Sequence, residues 1–209
     1  MIPALRQARS SSLTLLVFAI FATAILAVTY RATHAQIQSS QEAEKLLVLN
    51  QVLPAQYDNR PVTDFVLLEA QEAAQLGNDG PAKVFIARQQ DRVTALAFEA
   101  VAPNGYGGKI RLLVGIGTDD KMIGVRVVGH KETPGLGDYI DAAHGAWSTQ
   151  FSGQTFDKIA DWTVKKDGGR FDFMAGATIS PRAVTAAAGR VFAFYHQHRQ
   201  RLIQTPRPE

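Results

Sequence analysis

The chain has 209 residues, a formal net charge of +3, and 46% hydrophobic against 20% charged residues, a balance that fits a folded domain with an appendage. Its 22 basic residues are scattered among 19 acidic ones without a concentrated patch, which argues against nucleic-acid binding. Cysteine is absent, which excludes iron–sulfur clusters, c-type haem, disulfides and thiol catalysis.

Residues 13–30, "LTLLVFAIFATAILAVTY", carry no charge and predict a membrane-crossing helix. Eighteen helical residues rise roughly 27 Å, close to the thickness of a hydrocarbon core. Arg6 and Arg9 precede the run, so the positive-inside tendency puts the N-terminus in the cytoplasm and the rest outside it. A cleaved signal peptide is the competing reading, with "THA" at 33–35 as its poor cleavage site. Ser39 and Glu42 form a capping box for a connecting helix that Pro54 stops; this helix continues the anchor or stands off it.

The segment 57–64 reads as a turn-rich connection, and "TDFVLLEAQEAAQLGNDG" (63–80) is ambiguous between strand and helix. Four strands follow: "KVFIAR", "VTALAFEAV", "KIRLLVGIG" and "MIGVRVVGH". Gln89-Gln90-Asp91 and Asp119-Asp120 supply hairpin turns, so a mainly antiparallel meander is expected. Asp119-Asp120 is read as a solvated turn and not as an acid pair. "DYIDAAHGAWSTQF" looks helical, "DWTVKK" a short strand, and Asp167-Gly168-Gly169 its turn. The last element is a helix with Ser180 as N-cap and Pro181 at its first position, its apolar stripe formed by Val184, Ala188, Val191, Phe192 and Tyr195. A tail ends the chain, and one soluble domain suffices.

Two stretches are chemically unusual. In "HKETPGLGDYI" (130–140), Pro134, Gly135 and Gly137 bend a loop whose backbone can approach a ligand closely. On spacing alone an ordinary strand-to-helix loop accounts for it, and a ligand-binding loop is the alternative. His130 stands alone, without a second histidine or carboxylate at metal-ligand spacing. In "DFMAGATISPRAV" (172–184), Thr178 lies beside the start of the last helix, where unpaired N–H groups and the helix dipole favour a phosphate. Small Gly176 and Ala177 leave its hydroxyl open to another protein. A plain helix-start loop is again the simpler reading. "GLGDYI" lacks the third glycine of a dinucleotide loop, "GYGGK" lacks P-loop spacing, and no catalytic triad can be assembled.

Together, "GATIS" (176–180), "ETPGLG" (132–137) and the single N-terminal anchor closely resemble RnfG, the G subunit of the Rnf electron-transport complex. That family shares an FMN-binding domain with NqrC, the C subunit of the sodium-translocating NADH:quinone reductase. The resemblance implies an FMN joined by a phosphoester bond to Thr178, the last residue of a Ser/Thr-Gly-Ala-Thr motif whose leading position is Ala175 here. It implies Gly176, Ala177 and Ser180 around the phosphate, and Glu132, Thr133, Gly135, Leu136 and Gly137 against the flavin ring, with no catalytic residue and no metal. The expected partners are the other Rnf subunits, the membrane, and a flavin transferase drawing on FAD.

The expected fold is α+β. A cytoplasmic N-terminus (1–12) leads to a transmembrane helix (13–30) and a connecting helix (31–56). A periplasmic FMN-binding domain (57–200), with a mainly antiparallel sheet and flanking helices, and a tail (201–209) complete it. The expected function is a flavin electron carrier, single-pass in the bacterial inner membrane, within a complex that links NAD(H) and ferredoxin chemistry to ion movement. Two rivals stay open: a cofactor-free extracytoplasmic scaffold, and a ligand-binding module released after signal cleavage.

Overall fold

A computed structural model describes residues 2–155 and 161–207, apart from the side chains of residues 1–14, 35, 38, 39 and 41. The side chains of Arg6, Arg9 and Ser39 therefore lie outside the described set. Between Pro3 and Pro54 the chain has neither glycine nor proline, and nothing in that stretch breaks a helix. It folds as one helix, α1 (Ile2–Leu49), which runs through residues 39–42 without a new start. The connecting helix is thus a continuation of the first. Within α1, Leu15–His34 has a mean hydropathy of 2.0 and none of it is buried in protein. Its Leu16, Phe18, Ile20, Phe21 and Leu26 are all exposed. This segment is long and apolar enough to cross a bilayer.

The chain divides into two compact units, 1–44 and 45–209. The second is built on a five-stranded antiparallel meander in the order β1 (Phe65–Leu68), β2 (Ala82–Gln89), β3 (Arg92–Gly105), β4 (Gly108–Gly117), β5 (Met122–Gly129). All four expected strands are present. The ambiguous segment resolves into both candidates, the short strand β1 and then a six-residue helix, α2 (Ala70–Gln75). At the β2–β3 turn Gln90 and Asp91 both take positive φ, 50° and 62°, the geometry that closes a two-residue hairpin with the twist of its strands.

Both faces of the sheet are covered, which explains why its strands read as nearly continuous apolar runs. Leu96, Phe98, Ile110, Leu112 and Val114 point to one face, where they meet Val184, Ala188, Val191 and Tyr195 of the last helix, α3 (Ile179–Ile203). The four helical positions recur at the spacing of a single apolar stripe, as expected. Alternate residues Phe85, Ala87, Ala95, Ala97 and Leu113 point to the other face and meet Leu49, Val52 and Leu53. The chain there lies so close that a Cβ on Gly115 would fall 1.6 Å from the Val52 carbonyl oxygen.

Three expectations are corrected. Residues 138–151 are not a helix but two short 3-10 turns, Gly137–Ile140 and Trp147–Phe151. Asp141 Oδ1 accepts the N–H of Ala143 (3.0 Å), a local bond that competes with helical pairing, and Gly145 follows. "DWTVKK" keeps only a single parallel bridge, Val164 to Phe171, before a 3-10 turn over Lys165–Asp167. The turn itself is as expected, with Gly168 at φ 85°. Finally, α3 begins two residues early: Thr178 is its N-cap, and Ser180 and Pro181 lie inside the first turn. Proline is tolerated there because first-turn N–H groups have no helical partner.

The far end of α3 is tied to the β4–β5 turn through Tyr195, whose hydroxyl donates to Asp120 Oδ1 (2.9 Å) and accepts from Arg199 Nε (3.2 Å). Burial, helped by the Asp120 carboxylate, pushes the phenol up to about 12 from 10.0. A folded-state value above the unfolded one gives a contribution present in full below pH 10.0 and lost as pH rises through about 12. Stability measured by denaturant midpoint is therefore expected to fall across that window, and Tyr195→Phe to flatten part of the fall.

Candidate functional site

The loop after β5 and the start of α3 meet through one buried carboxylate. Glu132 is 5% exposed. Its Oε1 accepts the N–H of Gly107 in the β3–β4 turn (3.0 Å), and its Oε2 accepts the hydroxyl of Ser180. Three segments remote in sequence therefore converge on one side chain, and both of its oxygens have donors, as burial requires. Gly137 permits the convergence: a Cβ there would lie 2.5 Å from Ser180 Oγ and 2.8 Å from Glu132 Oε2.

Ser180 is thus a tertiary tether and not a helix cap. Thr178 holds the cap position but has φ −86°, ψ −21°, a helical conformation, and its side chain makes no cap hydrogen bond. Capping normally requires an extended backbone that turns the oxygen toward the N2 or N3 N–H, and N3 here is Pro181, which has none. Thr178 is more enclosed than the sequence suggested, at 7% exposure. Among the described residues no hydrogen bond engages the Thr178 hydroxyl. Gly176, at φ 86°, is exposed and would have nothing within 4 Å of a Cβ, whereas Ala177 is buried at 8%. Ala175 is exposed.

Of the residues singled out in the sequence, Glu132, Gly137 and Ser180 are in mutual contact, with Thr178 two positions before Ser180 in the chain. Thr133, Gly135 and Leu136 form the exposed arc of the loop, closed by a hydrogen bond from Leu136 N–H to the Thr133 carbonyl (3.1 Å). Among the described residues no hydrogen bond joins this arc to residues 176–178. Leu136, Met174 and Ile179, each about half exposed, are apolar groups carried on these same two segments.

Sequence reasoning missed the aromatic supports, because they sat within the expected helix. Tyr139 accepts the N–H of Met174 (2.9 Å) and donates to the carbonyl of Ala177 (3.2 Å), which pins both ends of the 174–177 segment leading to Thr178. Burial raises its phenol above the ordinary range, and the Met174 N–H opposes the shift. Trp147 stacks edge-on against Tyr139 at 6.0 Å and donates its indole N–H to the Asp172 carbonyl (2.6 Å). Removing the phenol oxygen with Tyr139→Phe is expected to cost about 1 kcal/mol in denaturant unfolding.

The 3-10 region also brings Asp141 and His144 to His130, with one ligand atom from each within 4.8 Å of the others. Their separation in sequence concealed the grouping. A cleft of about 270 Å³ lined by Gln150, Gln154, Arg170, Phe171 and Asp172 contains none of the expected site residues.

Two family models match the chain, the RnfG N-terminal region over residues 1–52 and the FMN-binding domain over residues 105–193. The chain is 43% identical over 202 residues to the G subunit of the ion-translocating oxidoreductase complex of Vibrio cholerae strain O395, covering 96% of each chain. It is 43% identical over 201 residues to the same subunit of Aliivibrio fischeri strain ES114, with 95% of each covered. The corresponding Shewanella loihica protein is 40% identical over 192 residues and 90% of each chain. Among solved structures, Shewanella oneidensis NqrC matches with TM-score 0.46 and 23% identity, over 58% of this chain and 62% of that one.

Proposed function

The chain belongs to the family of G subunits of ion-translocating oxidoreductase complexes, and from that membership we propose that it is a membrane-anchored flavin electron carrier with FMN joined to Thr178. The FMN-binding domain and the single N-terminal apolar helix suit a cofactor-bearing subunit of a membrane complex. In the proposed arrangement α1 is retained as the anchor, the N-terminus is cytoplasmic, and the domain from about residue 57 onward is periplasmic. Its partners are the other subunits of the complex and a flavin transferase.

The residues present fit the cofactor. The observation that carries the reading is the Thr178 hydroxyl: it sits at the N-cap of a 25-residue helix and makes no cap bond. Ile179 and Ser180 offer first-turn N–H groups that lie outside the helical ladder, at the positive end of the helix dipole, where a phosphate is favoured. Gly176 supplies the positive φ, 86°, with which the chain turns into Ala177 and Thr178. Leu136, Met174 and Ile179 supply apolar surface for a flat heterocycle, and Glu132, Thr133, Gly135 and Gly137 complete the loop against it.

For attachment, the Thr178 oxygen forms a bond to the FMN phosphorus of FAD, the pyrophosphate P–O bond breaks, AMP leaves, and the hydroxyl proton passes to the transferase. Bound FMN supplies one- and two-electron redox chemistry. The chain's own part is to hold it: Ser180 and Glu132 lock the loop to the helix, and Tyr139 and Trp147 brace the segment before Thr178. A covalent link retains the cofactor outside the cytoplasm.

The test is to produce the full chain together with a flavin transferase and to measure intact mass and denatured in-gel fluorescence. The expected result is one FMN per chain, bound through loss of water. A polypeptide with the mass of its amino acids alone, from cells in which the transferase flavinylates a control substrate, would overturn the proposal in favour of a cofactor-free scaffold.

A further inference from the structure

We propose that His130 is the positioning residue of the 132–137 loop: held in its Nε2–H tautomer, it fixes Glu132 so that one carboxylate can join the β3–β4 turn to the start of α3. The inference deepens the flavin reading above and rests on it for its consequence, but not for its geometry.

The chemistry of the ring decides the tautomer. His130 Nδ1 accepts the backbone N–H of Glu132 at 3.1 Å. A backbone N–H only donates, so Nδ1 carries the lone pair and the neutral ring bears its proton on Nε2. That nitrogen faces Asp141 Oδ2 at 3.6 Å, a suitable electrostatic partner for the proton, and Asp141 is itself held by the Ala143 N–H. The His130 side chain is 15% exposed, so its contacts are sheltered from water. Glu132 is consequently fixed at its backbone by His130 and at its carboxylate by Gly107 and Ser180. Without the backbone anchor, the carboxylate would have to hold the loop through its own flexible side chain.

The same tautomer bears on the grouping of His130, Asp141 and His144. A metal at His130 Nε2 would need the lone pair there, which would move the ring proton to Nδ1 and set it against the Glu132 N–H. We therefore assign His130 and Asp141 of this grouping to support of the loop, His130 by its hydrogen bond to the Glu132 N–H and Asp141 by its charge beside Nε2.

The test compares two variants in the full chain in detergent. In His130→Asn, Oδ1 lies as many bonds from Cα as Nδ1 does and can still accept from Glu132. In His130→Leu, bulk is kept and the acceptor is lost. Without flavin, hydrogen exchange over residues 130–137 should lose about tenfold protection in the Leu variant and stay near wild type in the Asn variant. Peptides from β2 and β3 serve as the folding control. With transferase, the fraction of chains carrying flavin should fall in the Leu variant and be restored in the Asn variant. Wild-type protection and loading in His130→Leu would overturn the proposal, as would His130→Asn behaving like His130→Leu. Failure of the flavin reading shows itself separately, as wild-type chains that take up no flavin, while the exchange comparison still decides the role of His130.

Discussion

Thr178→Val is expected to abolish covalent flavin attachment while leaving the domain folded. The substitution keeps a β-branched side chain and the hydroxyl it removes makes no cap hydrogen bond, so unfolding free energy should change by less than about 1 kcal/mol. Attachment should instead fall to nothing, because a methyl group cannot supply the oxygen of a phosphoester. Ser180 is the necessary control, since it offers a second hydroxyl within the same helical turn. Its oxygen is engaged with Glu132 and its residue is only 2% exposed, so it is a poor nucleophile by position. Ser180→Ala should still form the covalent bond at Thr178, on a reduced fraction of chains because the loop is loosened, at a cost of about 1–3 kcal/mol for the buried carboxylate that loses its donor. Intact mass and denatured fluorescence of both variants separate the roles. A fluorescent Thr178→Val chain would place the bond elsewhere.

The sheet was readable in the sequence because its determinants are local. Apolar runs rich in β-branched residues, broken by Gln90-Asp91 and Asp119-Asp120, declare both strands and turns. The helix expected over residues 138–151 failed because its alanines outvoted signals whose meaning is tertiary. Tyr139 and Trp147 are spent on the 172–177 segment, more than twenty residues away in sequence, and Asp141 bonds its own backbone. The start of α3 was misplaced for a related reason. Ser180-Pro181 looks like a cap followed by a first helical residue, but the serine hydroxyl goes to a carboxylate 48 residues away. Both motifs were visible as patterns, and their union through Glu132 was not, since a lone glutamate in a loop carries no mark of burial. The gathering of Asp141 and His144 around His130 was equally hidden.

Arg88→Ala is expected to be the most destabilising single change outside the site. Arg88 is 3% exposed on β2, and its Nε lies 2.8 Å from Asp64 Oδ2, with Asp64 itself 4% exposed. Asn59 donates to the same Asp64 oxygen and accepts the Arg88 N–H, each at 2.8 Å. The guanidinium also donates to the carbonyls of Thr205 (2.9 Å) and Pro206 (3.2 Å), where the chain leaves α3. Truncation would leave a buried carboxylate without its counter-charge and release the end of the helix, a loss of about 3–5 kcal/mol. For a domain of this size that corresponds to a fall of about 6–20 °C in melting temperature. Pairing alone does not make such a bridge stabilising, because both charges had to leave water. Replacing both members with apolar residues, Arg88→Met with Asp64→Leu, should therefore recover most of the loss, whereas Arg88→Ala alone should not. If the single and double variants melt together, the penalty lies in the freed end of α3, whose bonds to Arg88 both variants lack, and the uncompensated charge of Asp64 is not its cause.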